Sequence, residues 1–372
     1  MPTNRTISAG SSYSAAIDAS GTPWIWGISV VRNLGLGGVE TNLPSEIPDL
    51  TSITTVSLGQ LHSLFVGSDG NVWVTGWNDF GQLGTGGYEE CPKVHQISLS
   101  NIFFAATKNN HSIFINNDLE VWVCGWNAFG QLGLGHTELQ PIPIQIDLPN
   151  IVSVDAGYTH SIFIGADGSV WGCGRNSNGQ LGLGDQEPRQ SPTKIVSLPQ
   201  IKTADAGFDH TVFIDMNGGA WSCGKHLLGQ LGLGKPLTHT HFPKKVDFCQ
   251  LGASNVILTA VSCGYEHTVF LDEEGIAWSC GNNKSLQLGF GENISSLYRP
   301  NNLENLPPIL AIACGKAHSL FLDSDGAVWS CGNNSHAQLG ALPGAAKTLG
   351  KIKLPPIMLD KKVNVKSARK IG

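Results

Sequence analysis

The pattern nearest to a known chemistry in this chain runs Gly229-Gln230-Leu231-Gly232-Leu233-Gly234-Lys235-Pro236. It imitates a phosphate-binding loop, in which a glycine-rich turn offers backbone N–H groups and a Lys reaches the terminal phosphates. The Ser or Thr that would hold magnesium is missing, because Pro236 stands there. The same Gly-Gln-Leu-Gly phrase recurs with His136 or Asp185 in the place of Lys235, so nucleotide binding here is not expected. His62, His111, His160, His210, His267 and His318 next suggest a metal. A metal centre needs several ligands on one point, whereas these histidines fall at one position of a repeat and spread around a ring. Cys263 with His267 and Cys314 with His318 give Cys-x-x-x-His in only two copies, and hydrogen-bonded structural histidines are expected instead. No Ser/His/Asp set or carboxylate pair stands out. The expectation is no covalent chemistry, no metal site and no cofactor.

What positions these residues is a repeat. The stretch Gly157 to Asp185 reads GYTHSIFIGADGSVWGCGRNSNGQLGLGD, and its phrases recur along the chain. Trp24, Trp73, Trp122, Trp171, Trp221, Trp278 and Trp329 mark seven copies at a period of about 50 residues. In the fourth copy four strands can be read: A over 151–156, B over 160–164, C over 169–173 and D near 193–198. Ala166-Asp167-Gly168 is a hairpin turn between B and C. Four short antiparallel strands repeated seven times predict an all-β, seven-bladed β-propeller, with the repeat Trp buried between neighbouring sheets. The first copy is degenerate, with Tyr13 where others have His and Asn33-Leu34-Gly35 for Gln-Leu-Gly. The third has Lys108-Asn109-Asn110-His111, lacking the usual Gly. The fifth carries about eight extra residues between Pro236 and Ala260. Residues 1–355 are expected to form the propeller, and 356–372 a basic tail or a closing strand.

Composition agrees with such a fold. Charged residues are only 14 %, and 46 glycines suit a chain of tight turns. The net charge of −6 hides an asymmetry: the last twelve residues hold Lys361, Lys362, Lys366, Arg369 and Lys370 and no acid. The acidic body argues against direct nucleic-acid binding, while the tail is a candidate for weak contact with an anionic surface. Cys124, Cys173, Cys223, Cys280 and Cys331 share one repeat position, a full blade apart from one another. They cannot pair, so free thiols and a reducing, cytoplasmic compartment are expected. Nothing in the sequence reads as a signal peptide or a membrane span.

On Gly-x-x-His, Asp-Gly-x-x-Trp and Gly-Gln-Leu-Gly, in register over about residues 5–355, the chain resembles the family of the regulator of chromosome condensation, the RCC1-type repeat. The resemblance implies the propeller fold. The family's founding member is a guanine-nucleotide exchange factor for the GTPase Ran. Others are ubiquitin-ligase modules, ciliary scaffolds, a plant ultraviolet receptor, a secreted β-lactamase inhibitor, and effectors that intracellular bacteria inject into host cells. A protein of that last kind would act in the host cytosol.

Where the copies differ is where a partner would be read. Strand alternation puts the A–B links and the C–D links on one face, and the B–C turns and D–A links on the other. Around the first face the dipeptides before each His include Tyr158-Thr159, Phe208-Asp209 and Tyr265-Glu266. Aromatic residues beside acids in three successive copies suit an interaction hot spot. The resemblance adds that acids in these dipeptides matter for exchange on Ran. Asp209 matches such a position, and Glu266 is the related choice one blade on. The wedge-like C–D insertion of that exchange factor has no counterpart here, because the C–D links stay short. Ile28, Val30, Val31, Trp77 and Trp126 on the C–D links suggest a second apolar patch on the same face. The reading is a protein-binding propeller that engages a small GTPase of the Ran or Rab type and acts at most by nucleotide exchange. A non-catalytic scaffold and an inhibitor of another protein stay open.

Overall fold

The computed structural model describes residues 5–27, 34–37, 41–248 and 256–357. Ile28, Val30 and Val31, most of the insertion in the fifth repeat and the basic tail from residue 358 lie outside these. The described chain forms seven four-stranded antiparallel sheets, each made of strands consecutive in sequence. The A strands of neighbouring blades touch all the way round, the seventh meeting the first. No helix among the described residues is long and apolar enough to cross a membrane.

Blade 4 shows how the sequence builds one unit. Strand A is Ile151–Ala156, B is His160–Gly165, C is Val170–Gly174 and D is Arg189–Lys194. Strand B is buried along its whole length, because each sheet is sandwiched between two others. Strand D is outermost, with every residue polar but Pro192. It begins four residues before the position expected from the sequence. The link over 175–188 returns the chain so that pairing begins with Gly174 opposite Arg189 and runs to Trp171 opposite Lys194. In the fifth blade D is His239–Lys245, so the extra residues follow that strand in the chain.

The large ring sealed between sheets is not the repeat Trp. Phe65, Phe114, Phe163, Phe213, Phe270 and Phe321 of the B strands are fully buried, while of the seven repeat Trp residues only Trp278 is. Each of the others is half-exposed. The indole has a polar edge to satisfy, and strand C lies toward the rim. In four blades Nε1 of Trp24, Trp221, Trp278 and Trp329 donates to the B–C turn carboxylate of Asp18, Asp215, Asp272 and Asp323, at 2.8–2.9 Å. Burying each Phe contributes on the order of 2–3 kcal/mol.

A belt of hydrogen bonds ties the blades together. Nε2 of His62, His111, His160, His210, His267 and His318 meets the hydroxyl of Ser112, Ser161, Thr211, Thr268, Ser319 and Ser14 in the next blade, at 2.9–3.0 Å. Each hydroxyl in turn donates to a Gln carbonyl of the preceding blade's Gly-Gln-Leu-Gly link, as Ser161 does to Gln131. The hydroxyl hydrogen is thereby used, so Nε2 carries the imidazole proton and Nδ1 is bare. Nδ1 has no partner in any of the six. Tyr13 takes the seventh place and donates its hydroxyl to the His62 carbonyl at 2.6 Å. The Gly three residues before five of the six histidines leaves room for the ring: a Cβ on Gly157 would lie 2.4 Å from His160 Cε1.

The ring closes on a composite strand. Strand A of blade 1 is only Ile7–Ala9. Its missing start comes from the other end of the chain: Ile357 bridges Asp18, and Ala19 N donates to the Pro356 carbonyl at 3.0 Å. These bonds repeat those that Ile53 and Ser52 make within blade 2. Ile357 is buried with Ile7, Ala16 and Trp26. The closing residues thus sit just past the boundary drawn at residue 355.

Candidate functional site

The A–B links carry the candidate dipeptides to the mouth of the central channel. Tyr158, Phe208 and Tyr265 do not stand apart there. Tyr158 and Phe208 stack with centroids 4.0 Å apart, Tyr265 lies 5.0 Å from Phe208 and 5.6 Å from Tyr158, and Lys316 Nζ caps the Tyr265 ring at 5.4 Å. Asn109 Nδ2 holds the cluster's edge through the Tyr158 carbonyl at 2.9 Å. Burial pushes the Tyr265 phenol up to about 12.

Within the channel lies a charged bar. Lys108 occupies the place of the repeat Gly, and the His111 carbonyl that such a Gly would bond is met by Thr107 Oγ1 at 2.8 Å. Its ammonium crosses from blade 3 to blades 5 and 6, donating to Asp205 Oδ1 at 2.8 Å, the Ala206 carbonyl at 2.7 Å and the Cys263 carbonyl at 2.5 Å. Arg5 pairs with Asp155, which also accepts from Ala206 N at 2.8 Å. Asp205 accepts from Cys263 N at 3.0 Å. The Asp205 carboxyl is pushed up by burial and by Asp155, against the opposing pull of Lys108 and Arg5.

The two candidate acids differ in access. Asp209 is only 7 % exposed, because the blade 4 link folds over it and Gln180 Nε2 reaches Oδ1 at 3.4 Å. Burial raises its carboxyl above the ordinary range, against the pull of Arg175 and Lys225. Glu266 is half-exposed, with Lys225 Nζ at 3.6 Å and Asn282 Nδ2 donating at 3.0 Å.

Trp77 and Trp126 belong to a longer feature than the sequence suggested. Trp77 packs edge-on to Phe80 at 5.1 Å, Phe80 stacks with Trp126 at 5.6 Å, and Trp126 meets Phe129 at 5.6 Å. Arg175 Cζ then lies 5.5 Å over the Phe129 ring. Phe80, Phe129 and Arg175 were not singled out from sequence. The signal was the Gly-Trp-Asn-x-Phe phrase shared by copies two and three, which places both rings of each link on one line. Cys124, Cys173, Cys223, Cys263, Cys280, Cys314 and Cys331 are buried free thiols, and Cys91 is half-buried and free.

Seven sheets of consecutive strands, laced by an inter-blade histidine–hydroxyl belt and presenting variable links on one face, define a repeat propeller. The chain belongs to the RCC1-like domain family. Residues 147–370 match the RCC1-like domain, and residues 53–82, 69–114 and 120–164 match the regulator of chromosome condensation (RCC1) repeat. It is 34 % identical over 90 residues to the zebrafish (Danio rerio) Protein RCC2 homolog, 24 % of this chain and 18 % of that one. It is 40 % identical over 91 residues to the mitochondrial RCC1 domain-containing protein RUG3 of Arabidopsis thaliana, 24 % of this chain and 20 % of that one. These alignments therefore span about a fifth of each relative's length. In structure it is similar to yeast RCC1 (Prp20) as bound to Kap60, with a TM-score of 0.81 at 22 % identity over 91 % of this chain and 85 % of that one. Human WBSCR16 is similar with a TM-score of 0.75 at 23 % identity over 86 % and 87 %. At these identities the likeness is one of fold.

Proposed function

We propose that this propeller binds a small GTPase of the Ran or Rab type on its A–B and C–D link face. Nucleotide exchange, where it occurs, works by displacement rather than by any bond made or broken. The observation that carries the reading is Glu266, a half-exposed acid at the rim of the Tyr158–Phe208–Tyr265 cluster, oriented by Lys225 and Asn282. A GTPase nucleotide site presents a Lys and a magnesium ion, so an acid there attracts it and competes with phosphate. Support from the family is that Prp20p of Saccharomyces cerevisiae, which shares the fold, was studied for its binding to Gsp1p and histones. A specific observation favours a second reading, a scaffold that binds without releasing nucleotide: Asp209, the acid that matches an exchange position, is covered. The proposed place of action is a reducing compartment, in keeping with the buried thiols.

The test is release of a fluorescent guanine nucleotide from a panel of loaded Ran- and Rab-type GTPases. Acceleration by catalytic amounts of the propeller supports exchange. Stoichiometric binding without release supports the scaffold. No complex with any member of the panel sinks the GTPase reading.

A further inference from the structure

The ladder Trp77–Phe80–Trp126–Phe129 is an open surface that GTPase binding at the channel mouth leaves unexplained. All four rings are half-exposed. Their links are held in shape from beneath: Asn78 Nδ2 donates to the Gly87 carbonyl at 3.0 Å, and Asn127 Nδ2 to the His136 carbonyl at 2.9 Å. The rings are therefore set before any partner arrives, which lowers the ordering cost of binding. Their far end shows what they accept. The guanidinium of Arg175 lies over Phe129, steadied by its Nε–H bond to Ser177 Oγ at 2.8 Å. The two links that carry the rings hold charge of one sign. The blade 2 and blade 3 links, residues 77–90 and 126–139, contain Asp79, Glu89, Glu90 and Glu138 and neither Lys nor Arg. All four acids are exposed. The blade 5 link has the opposite character, with Lys225 and Lys235 and no acid.

We propose that this ladder docks an arginine-bearing extended segment of another protein, its guanidinium groups stacking on the open ring faces and its charge met by the link carboxylates. A planar, weakly hydrated guanidinium stacks on an aromatic face better than an ammonium does. The rings follow one line across two blades, so the segment lies extended along them. Nucleic-acid bases would also stack on such rings, but their phosphates would meet this acidic rim unfavourably. The proposal is independent of the GTPase reading.

Fluorescence anisotropy of a labelled peptide with Arg at every third position in a Gly/Ser background tests it, beside matched Lys and Gln peptides. The Arg peptide is expected to bind, the Lys peptide about threefold or more weakly, and the Gln peptide not measurably. Trp77→Ala with Trp126→Ala should weaken the Arg peptide at least about tenfold. Asp79→Asn with Glu89→Gln leaves the rings in place and should weaken it about threefold, so a folding defect in the Trp variant does not decide the matter. The inference is overturned by no binding of the Arg peptide at millimolar concentration. Equal affinity for the Arg and Lys peptides overturns it too, as does wild-type affinity in the folded Trp variant. Displacement of the Arg peptide by a single-stranded oligonucleotide overturns the choice of partner.

Discussion

Two aromatic clusters share one face of this molecule and have opposite characters. Tyr158, Phe208 and Tyr265 close on one another over the channel, above the Lys108–Asp205 bar and beside the histidine belt. Trp77, Phe80, Trp126 and Phe129 form a line in the outer links that ends on Arg175. The first cluster spends much of its ring surface on its own neighbours. The second is spaced more widely, with successive ring centroids 5.1–5.6 Å apart. Residue type alone does not separate them; what lies beneath does.

The belt beneath the inner cluster should fail in acid, and this is the largest effect expected. Burial pulls His62, His160, His267 and His318 down to about 3 and His111 to about 4. Their folded pKa values lie below the unfolded value near 6.5, so the unfolded chain binds protons first. The stabilisation is whole above about pH 6.5 and is lost as pH falls from there toward 3. Each such histidine contributes a slope of up to about 1.4 kcal/mol per pH unit within that window. Urea midpoints measured from pH 7 to pH 4 check this; a flat profile would falsify the neutral belt.

Next in size is the bar. Lys108→Ala leaves Asp205 buried without its cation and should cost about 3–5 kcal/mol by urea denaturation. A loss under about 1 kcal/mol would mean that the channel admits water to Asp205. The contrast between the clusters is sharpened by paired truncations. Phe208→Ala should cost about 2 kcal/mol and Phe80→Ala under about 1 kcal/mol, since Phe208 stacks on Tyr158 at 4.0 Å while the rings nearest Phe80 lie at 5.1 and 5.6 Å. Equal costs would erase the distinction.

The smallest free energy is the functional one. Asp209→Ala with Glu266→Ala should slow exchange, or weaken GTPase binding, at least about tenfold, near 1.4 kcal/mol, with Lys316→Ala doing less. Wild-type behaviour in the double variant would remove the channel mouth from the mechanism.

Much of this architecture is legible in the linear chain. The Trp spacing marks the blades, and alternation of strand direction puts the right links on one face. Legibility stops where a residue's fate depends on another blade. Phe163 and Trp171 face each other across one strand pair, and only the neighbouring sheet decides that Phe163 is sealed while Trp171 keeps a wet edge. Asp209 reads as an available acid until Gln180 is seen to cover it. Lys108 reads as a missing Gly, and nothing local says that its ammonium spans to Asp205 and Cys263. The D strand Arg189–Lys194 carries no apolar alternation to mark its start, so only its pairing with Gly174 and Trp171 fixes it.

The composite first strand has a consequence for how the protein is born. Blades 3 to 7 can each be laid against a finished neighbour as the ribosome releases them. Blade 1, first to emerge, has its inner strand cut short at Ile7–Ala9 and must wait for Pro356 and Ile357. Until residues 356 and 357 are made, the nascent chain therefore carries an unfinished sheet in blade 1, the kind of unpaired edge that invites mispairing and chaperone attention. Only release of the last blade lets the hoop snap shut, so a ribosome stalled short of residue 356 would leave a chain with nearly all its blades and no closed ring.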